Sequence, residues 1–590
     1  MSATLPSASF ARELIAALAV HGVRDYVLCP GSRSGPLAHA LAAAASPDRP
    51  ALAPKIDLHV RIDERAAGFL ALGIARAHIA AGEPRPVAIV TTSGTAVGNL
   101  LPAVMEAHHS GVPLLLLTAD RPGELKGVGA NQTTDQVGIF ASFVRWAAES
   151  AAPTPREGEG RAARLAARVV DAAIGADDEH DSLPCMGPVH VNLEFRAPLQ
   201  DDGGAWPIVK REPIVRARRR SIGLIDALKG TGSMHLPDKK RGVVIAGDGA
   251  GDDARRLAEA HRWPLLAEPT SGARTGECAI PGYVDFLRSE RGQTVSGETS
   301  IVVVVGRPTL TREVQKLIGT AKDLRVAGHG ARWREAPRHA TKVVGRVPDE
   351  WFERDLGAAE PDDAWLDYWR AAPVPSVSGW CADRVAAEVV ASLGPDDVCV
   401  VGSSGPIRSL DRVAPAWEPG AAPTLIANRG LAGIDGTIAT SMGVALASRG
   451  RVTAYMGDVT FLHDVGGLLV GPRERRPDLR IVVANDGGGT IFGRLEHAGA
   501  DPDVVERVFT TPHGVDIAPL AAAYGARHLA VDDAAALASA LASPVSGVEI
   551  VEARLTPAPA DPGAESTGHD AEATGEIPQV GSDSRPGGAR

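Results

Sequence analysis

The chain has 590 residues, of which 44% are hydrophobic and 23% charged, and its formal net charge is −11. This length exceeds what one hydrophobic core serves, so two to four domains are expected. The negative charge argues against a nucleic-acid partner, because binding a phosphate backbone requires a basic face. No apolar run approaches the roughly 20 residues that span a bilayer, and the five cysteines form no C-x-x-C pair, so membrane insertion is excluded and a cytoplasmic location is predicted.

Short apolar and β-branched runs recur along the chain, each ending in small or polar residues and leading into an Ala- and Leu-rich stretch. Examples are YVLCPGS from Tyr26, PVAIVTTSGT from Pro86 and LRIVVANDG from Leu479. Continuous apolar strands that alternate with helices are typical of parallel sheets covered on both faces. The fold class is therefore predicted to be α/β, with ligands at the carboxyl ends of the strands.

Two stretches of the chain resemble each other. Val27–Leu41 and Val398–Val413 each contain an apolar run, a Gly-Ser turn, Ser-Gly-Pro and a helical pattern. This indicates two related α/β domains with a third between them, although parallel α/β units also resemble one another in general. The predicted domains are residues 1–205, 206–372 and 373–555. Residues 556–590 are polar and rich in Pro and Gly, so a disordered tail is predicted.

A candidate metal site follows two successive apolar runs near the third domain's centre. Gly457-Asp458 ends the first run, and Asn485 ends the next, 27 residues after Asp458. Carboxylate and amide oxygens, completed by phosphate and water, are ligands that Mg²⁺ prefers. Glycines 487–489 allow the backbone to approach a diphosphate and leave a carbonyl as a further ligand. Structural turns alone are the alternative interpretation.

This segment resembles the thiamine-diphosphate signature, which opens with Gly-Asp-Gly and closes with Asn-Asn at a similar spacing. Val459 replaces the third residue of the signature, and Asp486 replaces its second Asn. The resemblance implies thiamine diphosphate and Mg²⁺ (or Mn²⁺) as cofactors. It assigns the metal to Asp458, Asn485 and the backbone of Gly487.

Glu64 is the candidate catalytic residue. In HVRIDERAAGF it lies where an apolar run meets a helical pattern, a place where a carboxylate most often serves as a helix cap or dipole partner. Thiamine-diphosphate enzymes place a Glu at such a position in the N-terminal domain. There it promotes the imino tautomer of the aminopyrimidine, which generates the ylide. They usually use this Glu across a dimer interface, so an even number of subunits is implied.

Arginines and polar residues cluster at several predicted strand ends. Because arginine pairs with carboxylates through two charge-assisted hydrogen bonds, the set predicts a substrate pair that carries several carboxylates. The members are Ser32, Arg33, Arg121, Asn131, Gln132, Arg312, Ser404, Arg408 and Arg429.

PGSRSGPL, RIDER with the following GF and ALG, TSGTAVGNL, LLTADRPGEL, GVGANQ and NRG with GIDG together resemble the 2-succinyl-5-enolpyruvyl-6-hydroxy-3-cyclohexene-1-carboxylate synthases of menaquinone biosynthesis. The resemblance covers about residues 10–555, most firmly the two outer domains. It implies a pyrimidine-binding, a central and a diphosphate-binding domain, with the active site at a homodimer or tetramer interface. It also implies a transferase that decarboxylates 2-oxoglutarate and adds the succinyl carbanion to isochorismate in a 1,4 fashion.

The same resemblance assigns roles residue by residue. Glu64 would activate the cofactor, and Ile434 would be the apolar residue under the bent cofactor. Thr311 replaces a Lys that some branches carry before Arg312, which leaves that position's role open. The remaining cofactor contacts would be Ser93, Gly94, Thr95, Gly430, Gly457, Asp458, Asn485 and Gly488, and Ile491 and Phe492 would join the arginine set as apolar walls of the substrate pocket.

Three alternatives remain at this point. Another thiamine-diphosphate enzyme, such as an acetolactate-synthase-like one, would share Glu64 and the metal segment but would not need the arginine set. A non-catalytic α/β regulatory subunit would not need Glu64, Asp458 and Asn485. A nicotinamide or flavin enzyme would need a complete G-x-G-x-x-G run, whereas GDGAGD from Gly247 lacks the last glycine.

Overall fold

The computed structural model describes residues 5–155, 160–175, 186–211, 236, 241–328, 337, 339–353, 363–373, 375–494 and 499–556. Apart from Thr556, the predicted tail lies outside these residues. The described residues form two compact units, of which one contains three sheets and the other contains residues 487–514. None of the helices in the described part of the chain is both long and apolar enough to cross a membrane.

The first sheet has six parallel strands in the order β2-β1-β3-β4-β6-β5. Its central strands are buried at every position, as their continuous apolar sequences predict. The strands are β1 (Asp25–Leu28), β2 (Asp57–Val60), β3 (Val87–Thr91), β4 (Leu114–Asp120), β5 (Ala147–Ser150) and β6 (Val189–Glu194). The helices are α1 (Pro6–Val20), α2 (Gly35–Ala45), α3 (Glu64–Ala80), α4 (Thr95–Gly98), α5 (Leu101–Ser110) and α6 (Arg161–Ile174).

The middle sheet has five parallel strands in the order β11-β10-β9-β7-β8. It has a hydrophobic core of its own. The strands are β7 (Gly242–Ala246), β8 (Leu265–Ala267), β9 (Ile301–Val305), β10 (Leu324–Ala327) and β11 (Lys342–Val344). The helices are α7 (Asp252–His261), α8 (Tyr283–Arg288), α9 (Glu290–Glu298), α10 (Arg312–Thr320) and α11 (Asp363–Arg370).

The third sheet has six parallel strands in the order β13-β12-β14-β15-β17-β16. The strands are β12 (Val398–Val401), β13 (Thr424–Ile426), β14 (Val452–Gly457), β15 (Leu479–Asn485), β16 (Arg527–Val531) and β17 (Val548–Arg554). The helices in this part of the chain are α12 (Ala382–Ala391), α13 (Gly405–Val413), α14 (Thr437–Ala447), α15 (Asp458–His463), α16 (Pro502–Val504), α17 (Ile517–Ala523) and α18 (Ala534–Ala542), of which α16 belongs to the second unit.

The first and third sheets have the same strand order when their strands are counted from one. The similarity between Val27–Leu41 and Val398–Val413 therefore corresponds to a repeated topology, because both stretches begin at the first strand of their sheet. The predicted α/β class with three parallel sheets is confirmed. The exact domain boundaries stay a prediction.

Helices α3 and α14 join the two outer sheets. A Cβ added to Gly73 would lie 2.1 Å from the Thr440 carbonyl oxygen, and one added to Gly443 would lie 2.1 Å from the Leu70 carbonyl oxygen. The two glycines thus let the helix backbones touch. Residues from both outer sheets and both helices share one hydrophobic core, so the two sheets are held as a pair.

Candidate active site

The carboxyl edge of the first sheet brings three predicted site residues together. Ser93 follows β3, and Arg121 follows the neighbouring strand β4. The Arg121 Nη1 atom donates to Ser93 Oγ and to the Gln132 carbonyl oxygen, both at 2.6 Å. Gln132 Nε2 in turn donates to the Ser93 carbonyl oxygen at 2.8 Å. These contacts fold the loop after β4 back over the sheet edge and place a guanidinium there.

A second arginine lies close to the first. Arg33 follows β1, and its Nη1 atom donates to the Phe195 carbonyl oxygen at 2.8 Å. Burial, and then the positive charge of Arg121, lower the pKa of Arg33. Two guanidinium groups that repel each other form an electropositive edge, which suits a substrate carboxylate. Ser32, which precedes Arg33, and Asn131, which precedes Gln132, are both exposed.

Gln136 holds the loop after β4 against the first sheet, and it was not identified from the sequence. Its side chain is buried, Oε1 accepts from the Gly94 N–H at 2.8 Å, and Nε2 donates to Asn192 Oδ1 at 2.8 Å. Asn192 Nδ2 also donates to Asp120 Oδ2 at 2.9 Å. Gln136 thus links the turn after β3 to strand β6. Its position four residues beyond Gln132 is the only signal that the sequence offers.

Glu64 lies in the first turn of α3, as predicted. Asp63 caps this helix, because its carboxylate accepts from the N–H groups of Arg65 and Ala66. Glu64 itself is half-buried, and its Oε2 atom accepts from Asn99 Nδ2 at 3.3 Å. The helix cap is therefore supplied by its neighbour, and Glu64 is available for chemistry.

Arg65 connects this helix start to the third sheet. Its Nη2 atom donates to Asp464 Oδ1 at 3.2 Å and to the His463 carbonyl oxygen at 3.3 Å. Asp464 is buried, and its Oδ2 atom accepts from the Ala439 N–H in the first turn of α14 at 2.8 Å. Burial raises the pKa of Asp464 to about 6. The residue that follows Glu64 is thus anchored to the third sheet's helices.

The carboxyl edge of the third sheet contains the predicted metal ligands. Asp458 is buried directly after β14, and its Oδ1 atom accepts from the Val459 N–H at 2.7 Å. Asn485 ends the neighbouring strand β15, and its Nδ2 atom donates to Glu552 Oε1 at 2.7 Å. Because the nitrogen of the Asn485 amide is turned towards Glu552, the amide oxygen is turned away from Glu552. Glu552, a buried residue of β17, was also missed at the sequence level.

The same edge has the donors that a diphosphate requires. Ser403 follows β12, which pairs with β14, and its hydroxyl is buried without a hydrogen-bond partner among the described residues. The next residue, Ser404, has φ 73°, and α13 begins directly after it. The first N–H groups of a helix attract anions. An orphaned hydroxyl, a helix N-terminus, a carboxylate and an amide oxygen together fit a diphosphate with a hard cation.

The loop between β13 and α14 carries Arg429, Gly430 and Ile434. Arg429 is buried, and its Nη2 atom donates to Thr309 Oγ1 of the middle domain at 2.7 Å. Ile434 is half-buried, and its carbonyl oxygen accepts from Thr437 Oγ1 at 3.0 Å. This hydrogen bond of Arg429 thus joins the loop to the middle domain.

Other predicted site residues lie apart or are exposed. Arg408 is exposed on α13, where Nη1 donates to the Ser404 carbonyl oxygen at 2.9 Å. Arg312 is exposed at the start of α10, and Thr95 is exposed at the start of α4. Their roles stay predictions. So do those of Gly487, Gly488, Ile491 and Phe492, which belong to the second unit.

Within the second unit, the segment that begins at Gly487 is held by its own contacts. The Gly489 N–H donates to the Thr510 carbonyl oxygen at 2.6 Å, and the rings of Phe492 and Phe509 pack with their centroids 5.7 Å apart. Short helical turns cover Thr490–Arg494 and Val505–Thr510.

Two segments of the chain, which include strands of the two outer sheets, match known sequence families. Residues 8–139 match the family described as "Thiamine pyrophosphate enzyme, N-terminal TPP binding domain", and residues 412–551 match the corresponding C-terminal TPP binding domain. The structure is also similar to that of a benzoylformate decarboxylase from Polynucleobacter necessarius. The TM-score is 0.67 over 94% of this chain and 99% of the other, at 17% sequence identity, and this similarity shows the fold alone.

Two relatives are much more similar in sequence. One from Paenarthrobacter aurescens (strain TC1) is 44% identical over 576 residues, covering 94% of each chain. One from Nocardioides sp. strain JS614 is 43% identical over 562 residues, covering 92% of this chain and 94% of the relative. Both are named 2-succinyl-5-enolpyruvyl-6-hydroxy-3-cyclohexene-1-carboxylate synthase. With thiamine-diphosphate-binding domains at both ends and relatives matched over nearly their whole length, the chain belongs to the family of 2-succinyl-5-enolpyruvyl-6-hydroxy-3-cyclohexene-1-carboxylate synthases, which are thiamine-diphosphate enzymes.

Proposed function

We propose that this chain decarboxylates 2-oxoglutarate and joins the remaining four-carbon unit to isochorismate by 1,4-addition, giving 2-succinyl-5-enolpyruvyl-6-hydroxy-3-cyclohexene-1-carboxylate for menaquinone biosynthesis. Family membership over the whole length of the relatives supports this activity. The observation that carries the substrate choice is the pair of neighbouring arginines, Arg33 and Arg121, at the edge of the first sheet. Together the two substrates present four carboxylates, which such an edge can bind.

Bound thiamine diphosphate supplies the electron sink for the reaction. We assign Glu64 to hold the proton at the aminopyrimidine nitrogen, since its carboxylate is half-buried and the neighbouring Asp63 performs the helix cap. Asn99 donates a hydrogen bond that orients the Glu64 carboxylate. Arg121 and Gln132, held against Ser93, orient the acid groups of the substrates.

We assign a divalent cation, Mg²⁺ or Mn²⁺, to Asp458 and Asn485; the role of the Gly487 carbonyl stays a prediction of the family resemblance. Two side-chain oxygens at neighbouring strand ends support this assignment, since hard cations prefer oxygen donors. The buried hydroxyl of Ser403 is assigned to the diphosphate. The cytoplasmic location predicted from the sequence stays a prediction.

We propose that the active form is a homodimer or a tetramer of such dimers. Ile62, two residues before Glu64, is 69% exposed, so its side chain is accessible to a second subunit. A second subunit that covers Ile62 would also bring its own third sheet to Glu64. The family resemblance predicts this arrangement, in which each site combines two chains.

The activity is tested with purified protein, thiamine diphosphate and Mg²⁺. We expect 2-oxoglutarate and isochorismate to be consumed together, with the product identified by mass spectrometry. Glu64→Gln should abolish turnover, whereas Glu290→Gln, at the first position of α9, is the matched control and should not. Pyruvate used as efficiently as 2-oxoglutarate would contradict the substrate assignment.

The shared site is tested by co-expressing Glu64→Gln with Asp458→Ala. If each site uses both chains, half of the dimers are mixed and half of their sites are intact, so about one quarter of the wild-type activity returns. Either variant alone should be inactive. Activity that stays at the level of the single variants in the co-expressed sample would count against a site built from two chains.

A further inference from the structure

The loop between β13 and α14 rests on a buried carboxylate from the first domain. Glu106 lies on α5 and is 4% exposed. Its Oε1 atom accepts from the Gly430 N–H at 2.7 Å, and its Oε2 atom accepts from the Leu431 N–H at 2.8 Å. One carboxylate thus satisfies two consecutive backbone donors of a segment 324 residues away. Hydrogen bonds to a charged, buried acceptor are the stronger class of such bonds.

The fit between this loop and α5 is tight. Ser110 Oγ donates to Glu106 Oε1 at 2.7 Å, which fixes the carboxylate from the next helical turn. A Cβ added to Gly430 would lie 2.6 Å from Ser110 Oγ and 2.6 Å from the Glu106 carbonyl oxygen. Glycine is required at this position because the loop backbone touches the helix.

The opposite side of the loop is held by the middle domain. Arg429 donates to Thr309 Oγ1 at 2.7 Å, and the Thr309 N–H donates to Glu268 Oε1 at 2.8 Å. Arg307 Nη1 closes the arrangement by donating to the His109 carbonyl oxygen on α5 at 2.7 Å. The loop therefore lies where all three domains meet.

We propose that Glu106 is a positioning residue of the active site, because its carboxylate fixes the loop that carries Arg429 and Ile434. The inference rests on the proposed function and on two roles predicted from the sequence, namely Ile434 under the cofactor and Arg429 among the substrate-binding residues. In Glu106→Gln the side chain can accept from only one of the two backbone N–H groups, and its NH2 faces the other donor, so the loop relaxes away from α5. A displacement of this loop misplaces both side chains, and catalysis is sensitive to such shifts.

The first test measures the loop itself in cofactor-free protein. Hydrogen–deuterium exchange of peptides covering residues 428–436 should be about tenfold faster in Glu106→Gln, which corresponds to about 1.4 kcal/mol. Ser110→Ala is the matched control on the same helix, because it keeps both backbone hydrogen bonds. If Glu106→Gln fails to fold, Glu106→Asp, which keeps the buried charge but withdraws its oxygens, is measured in the same way.

A second control separates positioning from general stability. Asp202 also has a buried carboxylate that accepts from two backbone N–H groups, those of Leu5 and Gly204, and it lies near the end of the predicted first domain. Asp202→Asn should lower the unfolding temperature at least as much as Glu106→Gln does. It should leave both the exchange of residues 428–436 and cofactor affinity at the wild-type level.

The functional readout is cofactor binding, measured by calorimetry with thiamine diphosphate and Mg²⁺. Glu106→Gln should weaken this affinity about tenfold and raise the KM for 2-oxoglutarate. Wild-type exchange of residues 428–436 in Glu106→Gln would overturn the proposal, and so would faster exchange with wild-type cofactor affinity. Failure of the proposed function is a separate result, namely a wild-type protein that binds thiamine diphosphate but does not consume the two substrates.

Discussion

Replacing Glu552 by leucine should weaken the metal site without removing any predicted ligand. Glu552 lies on β17, next to β15, and its carboxylate contacts the side chains of Asn485, His528 and, at 3.5 Å, Arg554. Oε1 accepts from Asn485 Nδ2 at 2.7 Å, and Oε2 lies 2.9 Å from His528 Nε2. The hydrogen bond to Oε1 turns the nitrogen of the Asn485 amide, and not its oxygen, towards Glu552. Leucine has a similar size but cannot accept the hydrogen bond, so the amide loses its orientation.

The magnitude follows from this one hydrogen bond. A hydrogen bond to a charged acceptor contributes about 1.5–3 kcal/mol, and each 1.4 kcal/mol corresponds to about a factor of ten in an equilibrium constant. We therefore expect the Mg²⁺ affinity of Glu552→Leu to fall about 10- to 100-fold. Residues that orient metal ligands commonly have effects of this size.

The assay is a Mg²⁺ titration of thiamine-diphosphate binding, followed by calorimetry. Glu552→Gln should stay close to wild type, because its amide oxygen can still accept from Asn485 while its nitrogen faces His528. His528→Leu is the matched control, since it removes the shorter contact of Glu552 Oε2 and leaves the Asn485 contact in place. A Glu552→Leu affinity within twofold of wild type, or an equal loss in His528→Leu, would refute the reasoning.

Two further predictions concern stability. Burial raises the pKa of Glu268 to about 8, above its ordinary 4.5, so the folded state retains a proton there that the unfolded state loses. The free energy of unfolding should thus fall as pH rises from 4.5 to about 8, and Glu268→Gln should flatten this dependence in thermal unfolding; an unchanged slope would contradict it. Gly443→Ala places a methyl group against the Leu70 carbonyl oxygen and should destabilise by about 1–3 kcal/mol in urea unfolding. Gly297→Ala on α9, where no described residue would come within 4 Å of the added Cβ, should be neutral or stabilise by up to about 1 kcal/mol. Equal losses in both variants would show that the close helix contact is not the cause.

The sheets could be predicted because strand burial leaves a local signature. Leu114–Asp120 is buried at all seven positions, and its sequence opens with four consecutive leucines. The polar residues after each run were placed at the sheet edges for the same reason, since parallel strands end on one side. Asp458, Asn485 and Arg121 are therefore at the strand ends that their sequences indicate.

The supporting residues could not be predicted, because their partners are distant in sequence. Gln136 contacts Gly94 across 42 residues, Glu552 contacts Asn485 across 67, and Glu106 contacts Gly430 across 324. Nothing in a local pattern distinguishes a glutamate that accepts from a remote backbone from one that is solvated on a helix surface. Only the folded chain shows which polar residues are buried and what they contact.

The repeated strand order of the outer sheets has a consequence for how the two halves specialised. Equivalent strand ends occur twice in one polypeptide, so the turn with Ser93 and Gly94 after β3 corresponds to the turn with Gly457 and Asp458 at the end of β14. In a symmetric pair of identical one-sheet chains, both positions would have to carry the same residue. Within a single chain they can diverge, with a hydroxyl retained at one and a carboxylate at the other. Such a division of labour is what duplication followed by independent divergence produces, and it allows one inherited scaffold to bind the two ends of an asymmetric cofactor.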